Sequence, residues 1–450
     1  MSSQQQHHQE QHPQRIVIVG GKRLSGDVPV SGSKNASLAI LAGSLLAAEG
    51  VTTLHNLPRI GDMATMADVL RHLGASVSFS PDGHSATIDA ARLTTHEAPP
   101  DLVARMRASF WVLGPVLARL HRVRVAQPGG CNIGARAVDL HVKGLQALGA
   151  DIDDNYGNVT AEAPWGLRGT SVYLDLPSVG ATMNIMMAAT LSRGTTIIEN
   201  AAQEPDVEDL GNFLVAMGAR VSGHGTGLIT VEGVPSLRGA TYEVMPDRIE
   251  AGTLGLAGGI TGGNVFLRGA NAADIRPVTL KMHEIGLQTE ERPDGVRVVG
   301  LPAGRRLRAT RLTALPHPGF PTDMQQPFTA TLCVADGTSI VTDKVYESRF
   351  RYLTELAKMG ARAEVDGRTA VITGVPHFIG AEVEATDLRA GAALVIAALA
   401  AEGRTTISGT EHLERGYECL VEKLQRLGAD IWREGAGEQH RAGKLSLCSA

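Results

Sequence analysis

Residues 67–79 read ADVLRHLGASVSF, an amphipathic helix pattern that ends at Leu-Gly-Ala and continues into a β-type segment. Similar segments return five more times along the 450 residues. The glycine that ends each helix pattern recurs at intervals of 75, 69, 68, 74 and 68 residues. Self-similarity of this kind identifies the architectural unit of a fold. The copies are residues 67–79, 141–153, 212–223, 281–291, 353–365 and 420–432, with marker glycines Gly74, Gly149, Gly218, Gly286, Gly360 and Gly428.

A second glycine lies roughly 25 residues before the marker glycine, after an apolar segment such as NASLAILAGSLLAAEG (35–50). In the second copy His121 holds that place. Each unit is predicted to contain a buried apolar helix, a short strand, and an amphipathic helix that a left-handed glycine ends. Two strands joined by a turn, such as Asp82-Gly83, complete it. The second glycines are Gly50, Gly194, Gly263, Gly337 and Gly403.

Six such units predict an α/β fold of two domains, each with three pseudo-symmetric units. Because the first helix of each unit is apolar nearly all round, we expect these helices inside and the sheets outside. The predicted domains are residues 34–245, and residues 15–33 together with 246–435. Residues 1–14 are predicted to be a disordered polar tail, and residues 436–450 a C-terminal tail.

The composition narrows the class of protein. A net charge of -5 argues against a general polyanion binder, and 4% aromatic residues leave few platforms for stacking on nucleic acid. No apolar run is long enough to span a bilayer, and the first residues lack a secretory signal pattern. The four cysteines have no metal-type spacing. We expect a soluble cytoplasmic protein with reduced thiols, as a monomer or weak oligomer.

Cys131 lies in QPGGCNIGARAVDLH (127–141), a glycine-rich stretch with a basic residue, Arg136, five positions later. A free thiol is usually a small buried hydrophobic group. Beside a cation and glycines it is a candidate acid, nucleophile or redox sensor. The residues alone leave both interpretations open.

Six cations lie near predicted helix starts. The helix dipole disfavours positive charge at that end. One such residue is readily explained as a solvated surface cation, whereas six indicate a shared anionic ligand. Since both halves of the chain contribute, we expect the ligand between the two domains. The cations are Lys34, Arg107, Arg248, Arg349, Arg389 and Arg415.

Several other polar residues fit ordinary helix capping. Local sequence favours capping for Asp323, which lies in PHPGFPTDMQQPF (316–328), and equally for Asp247 and Asp387. Asp139 and His141 fit capping or filling of a helix face. The segment that begins at Ser178 resembles an anion-binding helix entry only weakly.

Ten segments, taken together and in order, resemble one family. The resemblance extends from about residue 15 to residue 435 and is to the UDP-N-acetylglucosamine 1-carboxyvinyltransferases, a group of enolpyruvyl transferases. It implies two inverted α/β-barrel domains, each built from three copies of one unit. The segments are SGSKNA (31–36), MRASFWVLGP (106–115), PGGCNIGARAVDLH (128–141), SVGAT (178–182), EPDVEDL (204–210), MPDRIEAGT (245–253), HPGFPTDMQ (317–325), VYESRF (345–350), TDLRAG (386–391) and ERGYE (414–418).

The resemblance implies transfer of the enolpyruvyl group of phosphoenolpyruvate to the 3-hydroxyl of UDP-N-acetylglucosamine, with release of phosphate. This is the first committed step of peptidoglycan synthesis, and the resemblance implies no metal and no cofactor. Catalytic roles would fall on Cys131, Asp323, Lys34, Arg389 and Arg415. Substrate contacts would fall on Lys34, Asn35, Arg107, Trp111, Arg136, Ala137, Val138, Asp139, Leu140, Ser178, Val179, Asp323, Val345, Arg349 and Arg389.

Within this implied site, Cys131 is the general acid and the target of the epoxide antibiotic fosfomycin. Asp323 accepts or orients the proton of the sugar hydroxyl. Lys34, Arg136 and Arg415 surround the phosphate. The pair that faces the enolpyruvyl carboxylate is Arg349 and Arg389.

Two positions depart from the family pattern. Ala137 replaces the usual proline, and Leu176 with Pro177 replaces a common basic residue near the nucleotide. Two alternatives stay open at this point. One is a shikimate-pathway enolpyruvyl transferase, which lacks the cysteine segment, and the other is a non-catalytic homologue that binds a sugar nucleotide.

Overall fold

The computed structural model describes residues 14–127, 138–155 and 157–435. Fourteen α-helices and three short 3-10 helices lie within these ranges. The α-helices are α1 (Lys34–Gly43), α2 (Gly61–His72), α3 (Pro100–Arg105), α4 (Leu113–Leu120), α5 (Asp139–Ala147), α6 (Val179–Ala189), α7 (Pro205–Ala216), α8 (Arg248–Ile260), α9 (Arg276–Glu284), α10 (Gln325–Leu332), α11 (Tyr352–Lys358), α12 (Leu388–Leu399), α13 (Glu411–Glu414) and α14 (Leu420–Arg426). The 3-10 helices are Ser44–Leu46, Arg107–Val112 and Thr322–Met324.

The strands are short and are interspersed among the helices throughout the described ranges. They are β1 (Arg15–Val19), β2 (Ser25–Pro29), β3 (Ala47–Glu49), β4 (Thr52–His55), β5 (Ser76–Phe79), β6 (Ala86–Asp89), β7 (Arg122–Ala126), β8 (Asp151–Asp153), β9 (Asn158–Glu162), β10 (Ser171–Tyr173), β11 (Thr195–Glu199), β12 (Arg220–Ser222), β13 (Leu228–Glu232), β14 (Leu237–Arg238), β15 (Thr241–Glu243), β16 (Asn264–Arg268), β17 (Gln288–Arg292), β18 (Gly295–Val299), β19 (Arg311–Ala314), β20 (Thr338–Asp343), β21 (Arg362–Asp366), β22 (Thr369–Thr373), β23 (Phe378–Ile379), β24 (Glu382–Glu384), β25 (Ala401–Glu402), β26 (Arg404–Ser408) and β27 (Asp430–Glu434).

Six small sheets correspond to the six units, and two further strand pairs (β14 with β3, β23 with β25) lie outside them in the part of the chain that is described. Their strand orders are β15-β4-β6-β5, β7-β9-β8, β10-β11-β13-β12, β2-β16-β18-β17, β19-β20-β22-β21 and β24-β26-β1-β27. In the four-stranded sheets the first strand pairs in parallel and the others are antiparallel. The predicted α/β fold of six repeated units is confirmed.

The predicted helix ends are confirmed in the backbone conformation. All six marker glycines have positive φ, between 91° and 108°. His121 ends α4 in the left-handed conformation at φ 58°, so it does take the place of a glycine there. Gly263 departs from the pattern, because Gly262 adopts the positive φ of 66° instead.

Two separate hydrophobic cores hold the fold together. One is built from residues between Ala36 and Val244. The other combines Ile16–Val30 with Ile249–Ile431. The apolar helices lie inside these cores: all residues of α10 and α12 are buried, and α10 packs against α8 and α12. The domain limits proposed from the sequence, 34–245 and 15–33 with 246–435, stay a prediction.

The chain passes between the two cores at two neighbouring segments. Gly32 and Pro246 form an isolated antiparallel bridge. The amide of Ser33 donates to the carbonyl of Met245 at 2.7 Å, and the amide of Asp247 donates to the carbonyl of Ser31 at 2.8 Å. A Cβ atom on Gly32 would lie 1.6 Å from the carbonyl oxygen of Asn56, so glycine is required there. This crossing fixes the starts of α1 and α8 side by side.

None of the helices in the described ranges has the length and apolar character needed to cross a membrane.

Candidate active site

Asp323 lies in the 3-10 helix before α10, and its carboxylate bridges two arginines. Nη2 of Arg349 donates to Oδ1 at 2.7 Å. Arg389 donates to Oδ2 through Nη2 at 3.0 Å and through Nε at 3.3 Å. Both arginine side chains are almost fully buried, whereas that of Asp323 is 28% exposed. The carboxylate is therefore accessible from solvent, whereas the two guanidinium groups that bind it lie in the protein interior.

The charges of this group reinforce one another. Burial alone would raise the pKa of Asp323, but the guanidinium groups of Arg389 and Arg349 hold that pKa far below its ordinary range. Burial opposes the charge of Arg389, yet Tyr417 and Asp323 raise the pKa of this guanidinium. Asp323 is consequently ionised at every pH of interest and is a weak base while both arginines are bound to it.

A buried carboxylate, that of Asp343, positions Arg349 through the hydroxyl of Thr322. The hydroxyl of Thr322 donates to Asp343 at 2.6 Å and accepts from Nη1 of Arg349 at 2.7 Å. The same carboxylate accepts the amides of Val345 and Tyr346 at 2.9 and 2.8 Å. Val345 is thereby tied to the segment that carries Arg349.

A second carboxylate bridges a second pair of cations. Asp62, in the first turn of α2, is 2.9 Å from Nζ of Lys34. Its other oxygen accepts from Nε of Arg415 at 2.9 Å. Lys34 is the first residue of α1, and Asn35 follows it in a partly exposed position. Asp62 itself is buried.

Asp247 connects the two carboxylate-bridged pairs. It caps α8 and accepts the amide of Lys34 at 3.0 Å through Oδ2. It also acts electrostatically on Arg389. The site therefore gathers residues from both sides of the chain crossing.

Arg248, the first residue of α8, forms its ion pair with a third carboxylate, that of Asp206. Its guanidinium donates to Oδ2 of Asp206 at 3.1 and 3.2 Å; the Asp206 side chain is 4% exposed and that of Arg248 is 10% exposed. The hydroxyl of Ser33, which caps α1, donates to Oδ1 of the same carboxylate at 2.7 Å. Arg248 is thus part of the joint between the two cores.

A third group of predicted site residues lies on elements that pack around the first core. Trp111 belongs to the 3-10 helix that Arg107 begins, and this helix packs against α1 and α6. Ser178 caps α6 and accepts the amide of Ala181, with Val179 next in the chain. Val138, Asp139 and Leu140 form the start of α5.

His141 and Asn184 fix these three helix starts to one another. Nδ1 of His141 is 2.9 Å from the amide nitrogen of Asn184. Asn184 also accepts the amide of Gly114 at 2.9 Å and donates to the carbonyl of Phe110 at 3.1 Å. Burial, with a smaller effect of Arg107, lowers the pKa of His141 to about 3. His141 is a neutral packing residue, in agreement with the helix-face interpretation.

The structure corrects two expectations about helices. Arg349 and Arg415 do not begin helices, because α11 starts at Tyr352 and Arg415 follows the end of α13. Their positions reflect ion pairing with distant carboxylates. Asp323 is not a cap, since the 3-10 helix that it belongs to has no side-chain cap and its oxygens bind arginines. Capping is confirmed for Asp247 and Asp387.

Three predicted site residues, Cys131, Arg136 and Ala137, lie outside the described residues. The sequence reasoning missed Asp62 and Asp206. The repeat held a signal for them, because each lies 12 residues before the marker glycine of its unit, and Asp274 does so in the fourth unit. Asp274 is half-buried near Arg248, and its pKa is raised by burial. Aspartates at equivalent positions of three units would have pointed to partners for the cations.

Comparison with known proteins gives a consistent result. The profile of the EPSP synthase (3-phosphoshikimate 1-carboxyvinyltransferase) family matches residues 18–424. The chain is 48% identical over 420 residues to UDP-N-acetylglucosamine 1-carboxyvinyltransferase 1 of Halalkalibacterium halodurans, covering 93% of this chain and 94% of that protein. The protein of the same name from Staphylococcus aureus is 48% identical over 419 residues, with 93% and 99% covered.

Solved structures agree on the fold. The enolpyruvyl transferase NikO from Streptomyces tendae superposes with a TM-score of 0.84 at 28% identity, over 94% of this chain and 99% of that one. An EPSP synthase from Acinetobacter baumannii superposes with a TM-score of 0.70 at 20% identity, over 94% and 100% of the two chains. This second likeness concerns the fold alone.

Proposed function

Because this chain belongs to the enolpyruvyl transferase family, we propose that it transfers the enolpyruvyl group of phosphoenolpyruvate to the 3-hydroxyl of UDP-N-acetylglucosamine. Phosphate is the second product. The reaction is the first committed step of peptidoglycan synthesis, and the relatives that share 48% of the sequence carry its name. We propose that the protein works in the cytoplasm, as a monomer or weak oligomer.

The observation that carries this proposal is the presence of two cation pairs, each bridged by one carboxylate. Lys34 and Arg415 share Asp62, and Arg349 and Arg389 share Asp323. Phosphoenolpyruvate has two anionic groups, a phosphate and a carboxylate. In the proposal the first pair binds the phosphate and the second binds the carboxylate, with bidentate geometry available from the guanidinium groups.

The reaction requires two balanced steps. In the addition, the sugar hydroxyl gives its proton to a base and its oxygen bonds to C2 of phosphoenolpyruvate, while the C2–C3 double bond takes up a proton at C3. In the elimination, a proton leaves C3 and the bond between C2 and the phosphate oxygen breaks. We assign the proton delivered to C3 to Cys131, on the sequence resemblance alone.

Asp323 is the residue assigned to the sugar hydroxyl. With both oxygens bound to arginines, this carboxylate is suited to accept a hydrogen bond from the hydroxyl and orient it. It becomes more basic only when the substrate carboxylate draws Arg349 and Arg389 toward itself. In this proposal, binding of phosphoenolpyruvate prepares the base.

The UDP-sugar is assigned to the helix starts around His141. Ser178, Val179 and Asp139 begin α6 and α5, where unpaired helix amides favour anionic groups. Trp111 offers a half-buried aromatic face nearby, and Arg107 a cation. Asn35, Arg136, Ala137 and Val345 complete the assignment, which for these four residues rests on the sequence resemblance.

Phosphate release from phosphoenolpyruvate tests the proposal when two acceptors are compared. With UDP-N-acetylglucosamine we expect release with normal turnover, and with shikimate 3-phosphate we expect none. Release with shikimate 3-phosphate alone would place the chain in the other branch of the family. Folded protein that releases no phosphate with either acceptor would indicate a non-catalytic homologue.

A further inference from the structure

We propose that Asp62 is an internal counter-ion that occupies the phosphate subsite between turnovers and promotes release of the phosphate product. The inference rests on the proposed function, because that function places phosphate between Lys34 and Arg415. In this role Asp62 affects the reaction through its competition for these two cations.

The first support is geometric. Oδ2 of Asp62 is 2.9 Å from Nζ of Lys34, and Oδ1 is 2.9 Å from Nε of Arg415. Nη2 of Arg415 lies 3.4 Å from Oδ2. One carboxylate thus bridges both cations with its two oxygens, in the manner that two oxygens of a phosphate would.

The second support is the position of the three side chains. The Asp62 side chain is 5% exposed, that of Lys34 is 11% exposed, and that of Arg415 is 25% exposed. The three residues are far apart in sequence, and Arg415 is 353 residues from Asp62. Asp62 and Lys34 belong to the first core region, whereas Arg415 follows α13 in the second. The carboxylate therefore links a cation of the first half to a cation of the second.

The third support is charge balance. Lys34 starts α1 and the first turn of α2 holds Asp62, so the positive ends of two helices add to the two side-chain cations. Without a carboxylate this subsite would hold a dianion tightly. The Asp62 carboxylate competes with the product phosphate for these two cations. This competition weakens phosphate binding and promotes its release.

The proposed role and a purely structural role predict opposite changes in phosphate affinity when Asp62 loses its charge. If Asp62 competes with phosphate, Asp62→Asn binds inorganic phosphate more tightly, by about tenfold for one charge-assisted pair. KM for phosphoenolpyruvate and kcat then fall together, because phosphate leaves more slowly. If Asp62 only positions Lys34 and Arg415, the same variant binds phosphate more weakly and KM rises.

The test is titration of inorganic phosphate into the protein by calorimetry, in the presence of UDP-N-acetylglucosamine, together with the inhibition constant of phosphate against phosphoenolpyruvate. Asp68→Asn is the matched control, because Asp68 lies on the same helix, is exposed and pairs with Arg71. Asp62→Glu keeps the charge and should stay within about threefold of the wild type. If Asp62→Asn is unstable, the rise of its unfolding temperature with phosphate gives the same comparison.

Tighter phosphate binding by Asp62→Asn, with Asp68→Asn unchanged, supports the inference. Unchanged or weaker binding by Asp62→Asn overturns it. Lys34→Met separates this failure from that of the proposed function. If Lys34→Met leaves the phosphate affinity of the wild type unaltered, the phosphate subsite itself is misplaced, and the proposed substrate arrangement fails with it.

Discussion

Asp206 on α7 and Arg248 at the start of α8 form a largely buried ion pair, with Nη2 3.1 Å from Oδ2, across the joint between the two hydrophobic cores. The hydroxyl of Ser33, one residue before Lys34, occupies the other oxygen of Asp206. Asp206 therefore connects the contact between the two cores directly to the start of α1, where the proposed phosphate subsite begins.

Asp206→Ala is expected to lower the free energy of unfolding by about 3 kcal/mol, because it leaves Arg248 charged, buried and without its main partner. Urea unfolding followed by circular dichroism measures this. Glu232→Gln, which removes an exposed pair with Arg220, is the control and should change stability by less than about 0.5 kcal/mol. Equal effects of the two variants would show that the buried pair is not a structural joint.

The two arginines bound to Asp323 predict a particular dependence on pH. The folded pKa of Asp323 is depressed, so its contribution to stability is present above the unfolded pKa of about 3.9 and is lost as the pH falls through the folded value. The difference in unfolding free energy between wild type and Asp323→Asn should be constant from pH 8 to pH 5 and decline below about pH 4. A decline that is complete by pH 5 would contradict the ion-pair geometry.

Gly180→Ala should weaken the proposed sugar-nucleotide subsite. A Cβ atom there would lie 3.0 Å from Nε2 of His141 and 3.6 Å from Nε1 of Trp111, and His141 is buried and cannot withdraw. We expect KM for UDP-N-acetylglucosamine to rise about tenfold while KM for phosphoenolpyruvate changes little, as steady-state kinetics will show. Gly227→Ala, whose Cβ would lie in ordinary contact with Nε2 of Gln203 at 3.6 Å, should be neutral.

Cys131→Ala should lower turnover at least about 100-fold and abolish covalent modification by fosfomycin, since the resemblance makes this thiol the general acid. Intact-protein mass spectrometry detects the adduct. Cys333→Ala is the control: Cys333 is buried, burial raises its thiol pKa to about 12, and the adduct should persist in that variant. An adduct that remains in Cys131→Ala would assign the reactive thiol to another cysteine.

The repeat and its helix ends could be predicted because they depend on local sequence. The apolar character of α12 and the left-handed glycines such as Gly74 and Gly428 are set within one unit. The partners of the cations could not be predicted in this way. The sequence separation between Arg415 and its partner Asp62 is 353 residues, and that between Arg389 and Asp323 is 66 residues. Only the three-dimensional arrangement of the units brings these partners together.

Asp323 illustrates the same limit for a single residue. Local sequence favours capping because the residue follows a proline at the start of a helix. The structure directs its carboxylate to two buried guanidinium groups instead. A cap contributes about 1 kcal/mol, whereas two buried guanidinium groups without a carboxylate partner would cost about 3–5 kcal/mol.

The central claim is enolpyruvyl transfer to UDP-N-acetylglucosamine, and analysis of the product tests it most directly. The purified protein is incubated with phosphoenolpyruvate and UDP-N-acetylglucosamine, and the sugar nucleotide is examined by mass spectrometry while phosphate is counted. The account predicts one enolpyruvyl ether at the 3-hydroxyl for each phosphate released. Unmodified sugar nucleotide, from folded protein that leaves phosphoenolpyruvate intact, would contradict it.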